Sequence, residues 1–93
     1  YPLVQNEHRD GILRRTLAPA PNATAALSRA ARRATRALLE TLGYVGVLAI
    51  EFFVRGEELI FNEFAPRVHN SGHWTIEGAA TSQFENHLRA VAG

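Results

Sequence analysis

Two glutamates, Glu51 and Glu63, each interrupt an otherwise apolar run, VGVLAIEFFV over 45–54 and ELIFNEFA over 58–65. An ionised carboxylate taken out of water costs several kcal/mol unless it gains a partner. A compact polar run follows at once, with Arg67, His69, Asn70, Ser71 and His73 punctuated by Pro66 and Gly72. Paired carboxylates suit a divalent cation.

Whether the glutamates meet is a question of register. Both runs read as strands, so their side chains alternate. Val45, Val47, Ala49, Glu51 and Phe53 share one face, and Leu59, Phe61, Glu63 and Ala65 share another. Arg55-Gly56-Glu57-Glu58 between them reads as a hairpin turn. In a regular ladder Glu51 stands opposite Glu63 only if the loop holds an odd number of residues, three or five. A loop of two or four sets Glu51 opposite Asn62 and turns Glu63 to the other face.

If they do meet, two bare carboxylates about 5 Å apart repel by roughly 3 kcal/mol at an effective dielectric near 20. A divalent cation turns that penalty into attraction, and carboxylate oxygens with room for water and phosphate suit Mg²⁺ or Mn²⁺. The plainer alternative pairs one glutamate with an arginine such as Arg67 and leaves the other solvated at a sheet edge. The spacing of His69 and His73, HxxxH, is that of a helical zinc pair. Asn70-Ser71-Gly72 between them reads as loop, and no cysteine or third ligand stands in register, so zinc is disfavoured.

The positioning elements follow from turn and cap signals. YPLVQNE (1–7) and GILRRTL (11–17) read as strands joined by the turn His8-Arg9-Asp10-Gly11. The stretch APAP (18–21) breaks the pattern. Asn22 is then expected to cap a helix over 23–42, which Gly43 stops. Leu27, Ala31, Ala34, Leu38 and Leu42 form its apolar stripe, and Arg29, Arg32, Arg33 and Arg36 its solvated face. With no aromatic residue interleaved, that arginine face does not read as a nucleic-acid surface. Pro66 ends the fourth strand, 67–73 is irregular, and the chain turns helical again from Trp74. Thr81 or Ser82 caps a last helix with Phe84, Leu88 and Val91 on its buried stripe, Glu85 in capping-box position and His87 on the surface. The order β-β-α-β-β-α predicts an α+β fold, an antiparallel sheet with helices packed on one face.

The run NEFAPRVHNSGHWTIEGAATSQFENHLRA, with YPLVQNEHRDGIL and GYVGVLAIEFF upstream, resembles the 5-(carboxyamino)imidazole ribonucleotide synthases. These belong to the ATP-grasp superfamily and act in purine biosynthesis. The likeness covers nearly all of the chain, and APRVHNSGHWT is its most specific part; 21–41 carries little of it. It implies the carboxy-terminal subdomain of an ATP-grasp fold. It further implies an enzyme, an ATP-dependent ligase that phosphorylates bicarbonate to carboxyphosphate and carboxylates the amine of 5-aminoimidazole ribonucleotide.

What the resemblance implies can be carried over residue by residue. Glu51 and Glu63 would ligate the Mg²⁺ (or Mn²⁺) that bridges the ATP phosphates, with Asn62 beside them at the nucleotide and His8, in an NxH arrangement, contacting it. Arg67 would stabilise carboxyphosphate, His69 and Asn70 would position bicarbonate, and Ser71 and His73 would support that pocket. Where the wider superfamily often has an asparagine ligand two positions after the second glutamate, this chain has Ala65. That implies a thinner metal shell completed by phosphate and water. Without the resemblance, His8 reads as a solvated turn histidine.

Length and composition bound the rest. Ninety-three residues allow one small domain, 1–93. The formal net charge of +1 draws the chain to neither nucleic acid nor membrane. No run approaches a membrane span and no signal peptide is evident, so a soluble, cytoplasmic chain is expected. There is no cysteine, hence no disulfide or thiolate metal site. All ten basic residues are arginine. ATP-grasp enzymes normally hold phosphates with lysines and a glycine-rich loop, and neither is present. The chain is therefore expected to be part of a longer enzyme, inactive alone and, as the resemblance implies, homodimeric when complete. Two competing readings are another ATP-grasp ligase or carboxylase with a different acceptor, and a non-catalytic interaction module in which the glutamates form structural salt bridges.

Overall fold

In the computed structural model, which describes residues 1–93, two hairpins carry the strands. The first pairs β1 (Gln5–Arg9) antiparallel with β2 (Ile12–Leu17). Asp10 and Gly11 form its two-residue turn, both at positive φ, 53° and 74°, as a type I′ hairpin requires. This turn is tighter than the one expected from the sequence, so β1 runs on through His8 and Arg9. At its other end β1 begins only at Gln5, opposite Leu17, the last residue of β2; residues 1–4 have no ladder partner.

The second hairpin pairs β3 (Ala49–Arg55) with β4 (Glu58–Ala65). The expected start of β3 at Val45 is four residues early. Ala49 pairs with Ala65, where β4 ends before Pro66, so nothing remains for 45–48 to pair with. Those residues are tied elsewhere: Val47 N–H donates to His87 Nδ1 at 3.0 Å, and the Tyr44 hydroxyl lies 2.9 Å from both Val47 O and Pro66 O. The four strands make two separate two-stranded sheets within an α+β fold.

Between the hairpins lies α1 (Ala25–Leu42). Its cap is Thr24, whose Oγ1 accepts the Leu27 N–H at 3.1 Å, not Asn22. Asn22 sits too early in the chain because 20–23 form a turn of their own, with Ala23 N–H donating to Ala20 O. Gly43 ends the helix in the left-handed conformation. Leu27 and Ala31 of the expected stripe are the buried core, and Leu38 is half-buried. Ala34 and Leu42 are exposed, Ala34 because α1 stands off from the β3–β4 sheet across a groove of about 290 Å³ lined by Ala34, Leu38, Phe52 and Phe61.

After β4 the chain makes a 3₁₀ turn (Asn70–Gly72), a short helix α2 (Thr75–Gly78) and α3 (Gln83–Ala92). Ser82 caps α3 through Oγ, accepting the Glu85 N–H at 3.2 Å. Glu85 does not complete the capping box, since its carboxylate is engaged by Arg89 at 2.6 Å. The inward face of α3 is not the expected one. Gln83 is buried and His87 and Ala90 half-buried, spaced three and four apart, whereas Phe84, Leu88 and Val91 point outward, Leu88 with 69% of its surface exposed. Hydrogen bonds rather than apolar contact hold this face, so apolarity pointed to the wrong side. No helix is long and apolar enough to cross a membrane.

Candidate metal and anion site

Glu51 stands opposite Glu63 in the β3–β4 ladder. The turn does not supply this register: Arg55 pairs with Glu58, leaving the two-residue loop Gly56-Glu57. A two-residue loop was expected to set Glu51 opposite Asn62. Instead the register shifts between Glu51 and Phe52: Phe52 pairs with Phe61 and Glu51 with Glu63, so Asn62 is left over as a β-bulge. The extra residue turns Glu63 onto the face of Glu51. Asn62 is put to use, its Nδ2 reaching to 3.5 Å from Glu51 Oε2.

His69 completes the group from the loop. One ligand-capable atom each from Glu51, Glu63 and His69 lie within 4.8 Å of one another. His69 Nε2 is 3.9 Å from Glu51 Oε1, and both side chains are largely shielded from water. On the other side of the ring, Nδ1 lies 2.8 Å from Ser71 Oγ and accepts the Ser71 N–H at 3.2 Å. A nitrogen that accepts a backbone N–H carries no proton, so the neutral imidazole holds its hydrogen on Nε2, aimed at Glu51. With that tautomer Nε2–H faces Glu51 at 3.9 Å, and the atoms open to a cation would be the carboxylate oxygens. That donor set fits a hard cation such as Mg²⁺ or Mn²⁺.

The remaining expected residues divide into two groups. His8, Glu51, Asn62 and Ser71 line one cleft of about 540 Å³ between the hairpins, together with Asn6 and Leu27. Asn6 is oriented there by the Thr16 hydroxyl, which donates to its Oδ1 at 2.9 Å. Arg67, Asn70 and His73 stand outside this cleft and are exposed. Arg67 donates to the neighbouring Val68 carbonyl at 3.0 Å, which leaves most of its guanidinium donors free. The Asn70 carbonyl accepts the His73 N–H at 3.1 Å. The His73 ring stacks on Phe84, centroids 5.9 Å apart, and so turns towards α3.

Sequence reasoning missed the residues that hold the loop. Gln83, with 2% of its surface exposed, accepts the His69 N–H on Oε1 at 2.9 Å and donates from Nε2 to His69 O at 2.8 Å. Thr75, fully buried, accepts the Gln83 N–H at 2.8 Å and donates to Gly72 O at 2.6 Å. A glutamine just inside a helix looks like a surface position. The usable signal was Gly72, whose hydrogen a larger group could not replace without meeting the Gln83 carboxamide.

Known proteins match the chain over its whole length. The chain is 55% identical over 91 residues to N5-carboxyaminoimidazole ribonucleotide synthase of Escherichia coli (strain K12), covering 98% of this chain and 25% of that protein. It is 58% identical over 93 residues to the Pseudomonas aeruginosa protein of the same name, covering 100% and 25%. Among solved structures, N5-carboxyaminoimidazole ribonucleotide synthetase from Thermus thermophilus superposes with a TM-score of 0.98 at 69% identity, over 100% of this chain and 26% of that one. The Aspergillus clavatus synthase, solved with ADP and 5-aminoimidazole ribonucleotide, superposes with a TM-score of 0.89 at 39% identity, over 98% and 25%. The chain spans about a quarter of the length of these relatives. The model of the ATP-grasp domain matches residues 1–84, from the first hairpin through the bulged glutamate pair to the start of α3, and the chain accordingly belongs to the ATP-grasp family.

Proposed function

We propose that this chain supplies the metal-ligand and bicarbonate half-site of a longer ATP-dependent ligase of purine biosynthesis. In the proposed reaction a bicarbonate oxygen attacks the γ-phosphorus of ATP, releasing ADP and forming carboxyphosphate. The exocyclic amine of 5-aminoimidazole ribonucleotide then attacks the carboxyl carbon, phosphate leaves, and the amine loses a proton. The observation that carries the reading is the bulge-enforced pairing of Glu51 with Glu63, with the His69 imidazole 3.9 Å from Glu51, in a chain of the ATP-grasp family.

A role is proposed for each residue. Glu51 and Glu63 would hold Mg²⁺ or Mn²⁺, which when bound neutralises charge on the phosphate oxygens of ATP. Asn62 steadies Glu51 and, with His8, faces the cleft where the nucleotide would lie. His69 presents Nε2–H to the same region, a neutral donor suited to a bicarbonate or carboxyphosphate oxygen. Ser71 fixes the ring from behind through Nδ1. Arg67 has donors to spare for a planar anion. Asn70 and His73 lie on the outer side of the loop, and their proposed part is to shape the wall of the bicarbonate pocket.

The test uses the full-length protein and labelled bicarbonate, with ATP, Mg²⁺ and 5-aminoimidazole ribonucleotide. Glu51→Gln and Glu63→Gln should each lower ATP-dependent incorporation by on the order of 100-fold. Unchanged incorporation would make the glutamates structural and sink the reading. Wild-type turnover with a different amine or carboxylate acceptor, and none with 5-aminoimidazole ribonucleotide, would reassign the substrate.

A further inference from the structure

Two buried polar side chains touch the His69 loop, Gln83 and Thr75, and only Gln83 bonds His69 itself. Gln83 reaches from the first turn of α3 and pairs with both backbone polar groups of His69, the N–H on Oε1 and the carbonyl on Nε2. This is the two-point pairing a neighbouring β-strand would offer, made by one carboxamide. A primary amide is well suited to it, because it alone among the neutral side chains of this length carries a donor and an acceptor side by side.

Gln83 is itself anchored through its backbone. The Gln83 N–H donates to Thr75 Oγ1, and that hydroxyl donates to Gly72 O, so both ends of the 3₁₀ turn are tied to α3. Gly72 lies against the carboxamide so closely that a β-carbon there would overlap it. No buried side-chain nitrogen or oxygen is left without a partner. With its backbone pinned on one side and Nδ1 engaged by Ser71 on the other, the His69 ring has one direction left, towards Glu51.

We infer that Gln83 is a positioning residue: through its clamp on the His69 backbone it sets where the Nε2–H of His69 stands relative to the Glu51–Glu63 pair. This rests on the proposed function for its consequence in catalysis, though not for the clamp itself. A small misplacement of a donor is costly because catalysis depends on near-attack geometry. ATP binding should be spared, since neither Gln83 nor His69 lines the cleft.

The experiment compares Gln83→Met, Gly72→Ala and Gln83→Ser with wild type in the full-length protein. Methionine keeps the length and removes both hydrogen bonds. Alanine at 72 leaves the carboxamide in the chain but pushes it off its partners. Amide hydrogen exchange at His69, read by mass spectrometry of the loop peptide, should speed up by about tenfold or more in Gln83→Met and Gly72→Ala. The kcat for carboxylation should fall by about 10- to 100-fold, with KM for ATP within about twofold of wild type. Because Gln83→Ser vacates the space, adding Gly72→Ala to it should cost nothing further.

Wild-type exchange at His69 in both Gln83→Met and Gly72→Ala would overturn the clamp. Faster exchange with unchanged kcat would overturn the positioning role, as would kcat losses that only track the fraction unfolded. Should Gln83→Met fail to fold, Gly72→Ala carries the same two readouts. Should the wild-type protein carry out no carboxylation, the proposed function fails, and the exchange data still decide the clamp.

Discussion

Glu51 and Glu63 face each other because one residue of β4, Asn62, has no partner on β3. A regular ladder grown from the Gly56-Glu57 turn would present Asn62 to Glu51 and send Glu63 to the opposite face. The bulge reverses this for the last residues of β4 only, leaving Leu59, Ile60 and Phe61 in the register the turn sets. Bulges re-aim side chains next to functional sites, and here the displaced residue also supports one of the carboxylates it brings together.

The pairing has a stability signature separate from activity. Two like charges at this distance oppose folding, weakly because Glu63 is exposed and water screens it. Glu63→Gln should leave metal-free stability unchanged or raise it by up to about 1 kcal/mol. It should also reduce the stabilisation that Mg²⁺ or Mn²⁺ confers on wild type through preferential binding to the folded state. Thermal melts with and without each metal read both effects. An equal metal-dependent shift in wild type and variant would mean that Glu63 is not a ligand.

Helix α1 gives a prediction that separates two neighbouring polar residues. Thr24 Oγ1 accepts the Leu27 N–H, and Asn22 makes no such bond. Thr24→Ala should cost about 1 kcal/mol, the usual loss on removing a cap, while Asn22→Ala should be nearly neutral. Denaturant titration of the two variants under one set of conditions checks the difference.

The site was legible in sequence wherever it depended on residue type and strand alternation. Glu51 and Glu63 stand out as carboxylates in apolar strands, and the cap of α3 narrows to Thr81 or Ser82, of which Ser82 serves. What alternation could not supply was the bulge, since counting by twos assumes an unbroken ladder. That assumption produced the expectation of an odd-numbered loop, whereas the loop has two residues and the irregularity lies at Asn62. Helix α3 shows a different limit. Phe84, Leu88 and Val91 have the spacing of a buried stripe, yet Gln83 and His87 face inward, bonded to His69 and to Val47. A face held by hydrogen bonds leaves no mark in a pattern of apolar residues.

Tyr44 is the joint between the end of β4 and the approach to β3. Its hydroxyl lies equally close to Val47 O and Pro66 O and shares one hydrogen between them. Tyr44→Phe keeps the ring and should cost about 1 kcal/mol, as expected for a single partly exposed hydrogen bond. The loss should appear in the denaturation midpoint with the slope unchanged, which marks lost stability without a change in compactness.

Thr75, the first residue of α2, should be a sensitive anchor of the loop that follows the glutamate pair. It is fully buried, and its hydroxyl accepts from Gln83 N–H and donates to Gly72 O. Thr75→Val keeps the shape but strands a donor and an acceptor where water cannot reach them, at an expected cost of about 2–3 kcal/mol. Thr75→Ser keeps the hydroxyl and loses only a methyl group, so it should retain most of the stability, within about 1 kcal/mol of wild type. Equilibrium unfolding of the two variants decides the point. If valine kept the stability and serine lost it, packing of the methyl group rather than the hydroxyl bridge would be what holds the 3₁₀ turn to α3.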